Sequence, residues 1–165
     1  MKLSFSIADP SDAPALAALH TSVADDLTLR FGKGAWSART TERGVLAGMR
    51  HSRAVVARRG TEIVGTLHLQ TKKPWAIDIS YFTPVEKALY LTSLAVSPSF
   101  QHQGIGGLLL KQAVKEARGW PAESIRLDAF DRDAGAGAFY AKCGLKECGR
   151  TTYRNTPLIY FELVL

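Results

Sequence analysis

Apolar positions recur along this chain in two rhythms, every second residue and every third or fourth, and the changes of rhythm mark out its elements. Residues 4–8 alternate and predict a first strand. Asp9-Pro10-Ser11-Asp12 supplies a turn and an N-cap, Ser11 or Asp12; Leu16, Leu19, Val23 and Leu27 then keep helical spacing as far as Arg30. Phe31-Gly32-Lys33-Gly34 breaks that helix, and residues 40–50 predict a second, weaker one. Residues 53–59 and 62–71 are β-rich and joined by Arg59-Gly60-Thr61, a hairpin signal. Residues 72–84 carry Pro74, Trp75 and Pro84 without periodicity; this insertion either extends the hairpin or covers a substrate site. Residues 89–96 predict a fourth strand. Residues 105–118 predict a third helix with one apolar face, stopped by Gly119-Trp120-Pro121, and 124–130 a fifth strand. Residues 134–143 predict a fourth helix with Gly144 at its end, and two last strands, 147–153 and 158–165, flank Asn155-Thr156-Pro157.

The order is β-α-α-β-β-β-α-β-α-β-β with no repeat, low-complexity stretch or linker, so the 165 residues read as one domain, 1–165. Hydrophobic residues make up 46%, a globular proportion, and no apolar run approaches the ~20 residues of a membrane span. The alternating start, Met1-Lys2-Leu3-Ser4-Phe5-Ser6-Ile7, is too short for a secretory leader. A cytoplasmic protein without a membrane partner is the expectation. The net charge of +6 comes from scattered residues such as Arg50, Arg53, Lys72 and Arg150, which argues against a nucleic-acid surface. Cys143 and Cys148 lack metal-ligand spacing, and His20, His51, His68 and His102 stand far apart. No metal is expected, and the thiols read as reduced and partly buried.

Candidate chemistry gathers after the fourth strand. Gln101-His102-Gln103-Gly104-Ile105-Gly106, followed by Gly107, leads into the third helix. Glycines let a ligand approach the backbone, and the free N–H groups and dipole of a helix N-terminus favour phosphate. A nucleoside-triphosphate loop would need G-x-x-x-x-G-K-[ST], which is absent. A dinucleotide loop would need G-x-G-x-x-G, and Leu109 stands where its third glycine belongs. The longer string L-x-x-L-A-V-x-P-x-x-Q-x-x-G-x-G, from Leu91 to Gly106, closely resembles the acetyl-CoA-binding motif of the GNAT family of N-acetyltransferases. Gln101, Gly104 and Gly106 occupy its defining positions. A second segment, from Asp133 to Leu145, resembles the family's later motif, N-x-x-A-x-x-[LF]-Y-x-x-x-G-F, with Asp133 in place of Asn and Leu145 in place of Phe.

The resemblance implies an α/β (α+β) fold, a mixed, mostly antiparallel seven-stranded sheet with helices on both faces. It also implies an enzyme that moves acetyl from acetyl-CoA to a primary amine, on a small molecule or a peptide amino terminus, by direct attack on the thioester. Backbone N–H groups of about His102 through Gly107 would hold the pyrophosphate. Leu94, Ala95 and Val96 would pair with the pantetheine arm from a strand that bulges away from its parallel neighbour. An N–H aimed at the thioester oxygen is worth roughly 3–4 kcal/mol in other acyl transfers. Tyr140 falls on the family's tyrosine and would protonate the departing thiolate. Asp133 falls on a cofactor-side position where a carboxylate cannot donate as an amide does.

An alkylammonium with a pKa near 10.4 is only about 0.04% neutral at pH 7, so a base is needed. In several members of the family a carboxylate stands at the position of Tyr90. Here that leaves Glu86 as the first choice, with Tyr90, Asp78 and His68 beside it. The acceptor is expected between the first two helices and the loop at 155–157, with Asp25 or Asp26 attracting an ammonium and Trp36, Trp75 and Tyr81 as apolar walls. Two other functions stay open: a coenzyme A sensor without turnover, and an RNA- or ribosome-associated acetyltransferase favoured only by the net charge. The family is often dimeric, so a homodimer is a further expectation.

Overall fold

Strands form at β1 (Leu3–Ile7), β2 (Arg53–Arg59), β3 (Glu62–Gln70), β4 (Ala88–Val96), β5 (Ser124–Phe130), β6 (Lys146–Tyr153) and β7 (Thr156–Val164). The helices are α1 (Ala13–Phe31), α2 (Glu42–Met49), α3 (Ile105–Gly119) and α4 (Gly137–Lys142). The structure is a computed structural model that describes residues 2–165. One mixed sheet runs β1-β2-β3-β4-β5-β7-β6, with β4 and β5 parallel and the other neighbours antiparallel.

Alternation along β2 sends Val55 and Ala57 to one face of the sheet and Val56 to the other. On the first face α3 and α4 lay Ile105, Leu109, Ala113 and Tyr140 against the strands; on the second α1 and α2 bury Leu16, Leu19 and Val45. Burying a leucine contributes roughly 2 kcal/mol, so the apolar stripes fix where these helices dock. No helix among the described residues is long and apolar enough to cross a membrane.

The insertion between β3 and β4 does not extend the hairpin. It crosses the second face and buries Ile77 and Phe82 against Tyr90 and Tyr160. Glu162, 2% exposed, fastens it by accepting from the Thr83 N–H (3.1 Å) and Thr83 Oγ1 (2.6 Å). Arg126 donates to the Thr83 carbonyl (2.9 Å), and Tyr160 Oη donates to the Ala76 carbonyl.

Three sequence expectations are corrected. α4 starts at Gly137, not 134, because residues 134–136 fold back on the end of β5; a Cβ on Gly135 would come within 1.9 Å of the Phe130 carbonyl oxygen. The β6–β7 turn is Arg154-Asn155, not 155–157. Both residues have positive φ (47° and 64°), as a tight two-residue hairpin requires, and Pro157 already pairs with Thr152. Cys143 is exposed rather than partly buried, since α4 ends at Lys142 and Cys143 caps it on the surface.

Candidate active site

Parallel pairing of β4 and β5 covers only Ala88↔Ser124, Leu89↔Ile125 and Tyr90↔Arg126. Beyond Tyr90 the strands part, and the cause is one extra residue in β4. Against β3, Thr66 faces Ala95 while His68 faces Thr92, so three steps on β4 match two on β3; Ser93 takes a φ of 56°. Such a bulge bends its strand and increases the local twist. A cavity of about 360 Å³ opens in the gap. Leu91, Thr92, Ser93 and Leu94 form one wall, Asp128 and Phe130 the other, and Tyr140 of α4 and Leu27 of α1 reach it from the two faces.

From this gap β4 runs into the glycine turn. Gln101 Nε2 donates to the Val96 carbonyl (3.0 Å), so this side chain ties the loop to the strand end. His102 and Gly104, with φ of 62° and 81°, turn the backbone into α3. The Leu108 N–H donates to the Gly104 carbonyl (3.1 Å), the first bond of the helix, and no side chain caps it. The N–H groups of Ile105, Gly106 and Gly107 therefore have no intrahelical acceptor, and together with the dipole they favour an anion. A Cβ on Gly104 or Gly107 would meet nothing within 4 Å, so the approach to these amides is open. One on Gly106 would stand 2.9 Å from the Phe139 ring. Conformation demands glycine at 104, and the packing of α4 on α3 demands it at 106. A second, separate cavity of about 190 Å³ lies beside α3, lined by Gly107, Lys111 and Cys143 and by the apolar Leu110, Ile125 and Leu145.

Tyr140 is 5% exposed, its ring held by Phe139 and Phe161 at centroid distances of 5.3 and 5.8 Å. Burial, then the Asp128 carboxylate, push its phenol well above the ordinary range, so it is a protonated donor at working pH. Of the strand residues expected to face a cofactor, Leu94 lines the gap. Ala95 and Val96 pair with Thr66 and Gly65 of β3 and leave their other edge without a partner in β5. The Ile105 side chain is in the core, so only its backbone is available. Gln103 and His102 are exposed in the turn.

Two expected site residues lie elsewhere. Asp133 is exposed in the turn before α4 and does not line the cavity. Glu86 sits two residues before the opposite end of β4, whose first residue, Ala88, is already about 20 Å along the strand from Leu94 at ~3.3 Å per residue. Its N–H donates to Glu123 Oε2 (2.7 Å), which anchors it where β4 and β5 are still paired, and its exposed side chain does not reach Tyr140. The other base candidates are occupied as well. Tyr90 Oη accepts from Arg126 (3.2 Å) beneath the insertion, and Asp78 caps the Ser80 N–H (3.0 Å). His68 contacts Ser52 Oγ (2.9 Å); burial, then His20, push its pKa down to about 4, which leaves a neutral imidazole of little basicity. Asp25 and Asp26 pair with Arg39 (2.7 Å) and Arg30 (2.8 Å). Trp75 is 83% exposed and Tyr81 packs on Tyr160, whereas Trp36 backs the cavity wall edge-on to Phe130 at 6.0 Å.

The residue that sequence patterning passed over is Asp128. It lines the cavity, and none of the ion pairs among the described residues involves it. Burial pushes its carboxyl above the usual range, against the lowering effect of its own N–H. A signal existed: β5 reads Ile125-Arg126-Leu127-Asp128-Ala129, with charge at alternate positions of a central strand, where charge is costly unless it is used.

Residues 19–145 match the acetyltransferase (GNAT) family. No curated protein matches the chain. Among solved structures, an N-acetyltransferase from Staphylococcus aureus Mu50 is 17% identical, with 99% of each chain covered and a TM-score of 0.73. A ribosomal-protein-alanine N-acetyltransferase from Brucella melitensis is 20% identical over 98% of this chain and 99% of its own, at 0.73. The PaiA N-acetyltransferase from Thermoplasma acidophilum, solved with coenzyme A, is 15% identical over 97% of this chain and 98% of its own, again at 0.73.

Proposed function

The chain belongs to the GNAT acetyltransferase family, and from that premise we propose an acetyl-CoA-dependent N-acetyltransferase that acts on a primary amine of a small molecule or an amino terminus. Acetyl-CoA is the cofactor. The observation that carries the proposal is the continuity of open amides at the start of α3 with the gap between β4 and β5, where Tyr140 stands.

The residues fit the group. Three uncapped N–H groups and two glycines with open approach suit a pyrophosphate. The β4 edge released by the Ser93 bulge suits the amides of an extended arm, which takes the place of the missing β5 partner. The cavity beside Gly107 and Lys111 suits the nucleotide end. When bound, the cofactor supplies acetyl as a thioester, activated for attack by a neutral amine. Leu94, Ala95 and Val96 orient the carbonyl through their free backbone edge. Tyr140 gives a proton to the departing sulfur; its buried phenol stays protonated until that moment. Leu27 of α1 walls the gap on the second face and limits the entry of water.

Calorimetry with coenzyme A and acetyl-CoA, followed by thiol release over an amine library, tests the proposal. Micromolar binding with turnover of at least one amine is expected. No heat from either ligand with folded protein overturns it, and tight binding without turnover of any amine turns it into a sensor.

A further inference from the structure

We propose that β1 is a dimerisation edge, through which two copies of this chain join their sheets by antiparallel β1–β1 pairing about a two-fold axis at Phe5. This goes beyond the acetyltransferase function and does not depend on it.

The edge itself comes first. The sheet ends at β1 on one side and at β6 on the other. The Ala8 N–H donates to the Ala54 carbonyl (2.8 Å), in register with Ile7↔Val55, so Ser4, Ser6 and Ala8 turn their main-chain groups toward β2. Leu3, Phe5 and Ile7 turn theirs to the open side, and among the described residues no strand lies beyond β1 to meet them. An open edge of this kind is a template for another strand, and folds normally blunt it with charge, proline or a bulge. β6 is blunted in this way. It carries Lys146, Glu147 and Arg150, its ladder is interrupted between Glu147 and Gly149, and the Tyr81 ring packs directly on Gly149. β1 reads Leu3-Ser4-Phe5-Ser6-Ile7 and holds no charge, proline or bulge.

Polarity identifies the partner. From Phe5 outward the strand reads serine and then an aliphatic residue in both directions, so its pattern is the same forward and backward. Antiparallel pairing with a copy sets Phe5 against Phe5 of the partner subunit, Leu3 against the partner's Ile7 and Ser4 against the partner's Ser6. The main chain selects the same pairs. Leu3, Phe5 and Ile7 carry the outward groups, and each meets an outward residue, which gives about six N–H···O=C bonds. A slip of one residue sets outward groups against inward ones and apolar side chains against serines.

The side chains agree. Leu3 and Phe5 pack on the core of the first face, whereas Ile7, on the same face, is 44% exposed. In the dimer the partner's Leu3 covers it. Lys2 and Asp9, at the two ends of the strand, take part in no ion pair among the described residues, and the pairing brings Lys2 beside the partner's Asp9. A two-fold interface must be self-complementary, and in this strand hydrogen bonds, polarity and charge all are. Five strand residues a side fall well below the ~20–30 of a standard interface, so the dimer is weak, with a dissociation constant of about 10–100 µM. β2 and β3 separate β1 from β4, so the gap between β4 and β5 is left uncovered in both copies.

Sedimentation of the full chain between about 1 and 500 µM should show a monomer giving way to a dimer toward the top of the range. Ile7→Lys, at an exposed edge position, should keep the wild-type Tm and raise the dissociation constant at least tenfold. Engineered cysteines read the register in a Cys143→Ser, Cys148→Ser background. Ser4 and the partner's Ser6 stand opposite with Cα atoms about 4.5 Å apart, within disulfide range, whereas Ser4 and the partner's Ser4 lie roughly 7–8 Å apart, beyond it. Oxidation of Ser4→Cys mixed with Ser6→Cys, at a concentration where the wild type is dimeric, should give a covalent dimer with one chain of each, and neither variant alone should link. A chain that stays monomeric throughout, a dimer that Ile7→Lys does not weaken, a dimer whose mixed variants fail to link, or a link formed by either variant alone overturns the proposal.

Discussion

Replacing Tyr140 by Phe removes one oxygen and leaves the ring where Phe139 and Phe161 hold it, at 5.3 and 5.8 Å. Packing is preserved, so the stability change should stay within ~1 kcal/mol, a shift of roughly 2–4 °C in Tm for a chain of this size. The chemical step loses its positioned acid. A thiolate with a pKa near 8.5 must then leave unprotonated or wait for water. General acids contribute about 10²–10⁴ in rate, or roughly 2.7–5.5 kcal/mol of barrier at 1.36 kcal/mol per tenfold. Tyr140 lines the gap and lies outside the glycine turn, so coenzyme A affinity should change less than twofold. The assay pairs thiol release at saturating acetyl-CoA and amine with calorimetry of coenzyme A. Burial holds the phenol well above its ordinary range, so the wild-type profile should also lack a basic limb from Tyr140 below about pH 10. A kcat for Tyr140→Phe within threefold of wild type, with both substrates saturating, would refute the role of Tyr140 as donor.

Two further outcomes separate conformation, packing and charge. Gly104→Ala places a side chain at a φ of 81° with no neighbour within 4 Å, so it should cost about 1–2 kcal/mol of strain. Gly106→Ala pushes a Cβ to 2.9 Å from Phe139 and should loosen α4 and blunt Tyr140-dependent turnover. Equal melting and kinetics for both would show that neither glycine is needed as described. For His68, the imidazole titrates near 4 when folded against 6.5 when free, so the unfolded chain binds the extra proton and stability rises with pH across that window. Its contribution is fully present above pH 6.5, and about 2–3 kcal/mol of it is lost by pH 4.5. Urea midpoints for wild type and His68→Gln at pH 7 and 4.5 check this, and parallel losses in the two proteins would rule it out.

The proposed cofactor half of the site follows from the sequence because its chemistry is backbone chemistry. Gly104 must take a left-handed φ, Gln101 must reach the Val96 carbonyl and Gly106 must admit Phe139, so residue identities at fixed spacing report the geometry. The proposed acceptor half, the cavity between β4 and β5, is lined by side chains on α1, β4, β5 and α4, each of which is locally an ordinary core or surface residue. Asp25 and Asp26 looked available because their arginine partners, Arg39 and Arg30, cannot be inferred from composition. Glu86 looked near the chemistry because it precedes β4, but the strand carries chemistry only at its far end, where pairing with β5 has lapsed. The insertion resisted any periodic reading because buried polar ties such as Thr83 to Glu162, across the sheet in β7, hold it in place.

The bulge itself left a trace that reading residues 89–96 as one apolar run conceals. Leu89 and Leu91 enter the core beneath α3, and so do Leu94 and Val96; the alternation slips by one between 91 and 94. Removal of Ser93 restores the phase. Pairing with β3 would then run His68↔Thr92, Leu67↔Leu94, Thr66↔Ala95 and Gly65↔Val96 without interruption, and every core side chain would keep its face. A chain that lacks Ser93 should therefore fold, with Tm within a few degrees of wild type, while β4 extends its parallel pairing with β5 and the gap closes. Coenzyme A affinity should fall at least tenfold and turnover at least 100-fold, although the glycine turn, Tyr140 and Asp128 are all still present. Wild-type coenzyme A affinity in the folded deletion variant would mean that the parting of the strands does not depend on the bulge. The glycine turn would then be sufficient for binding on its own.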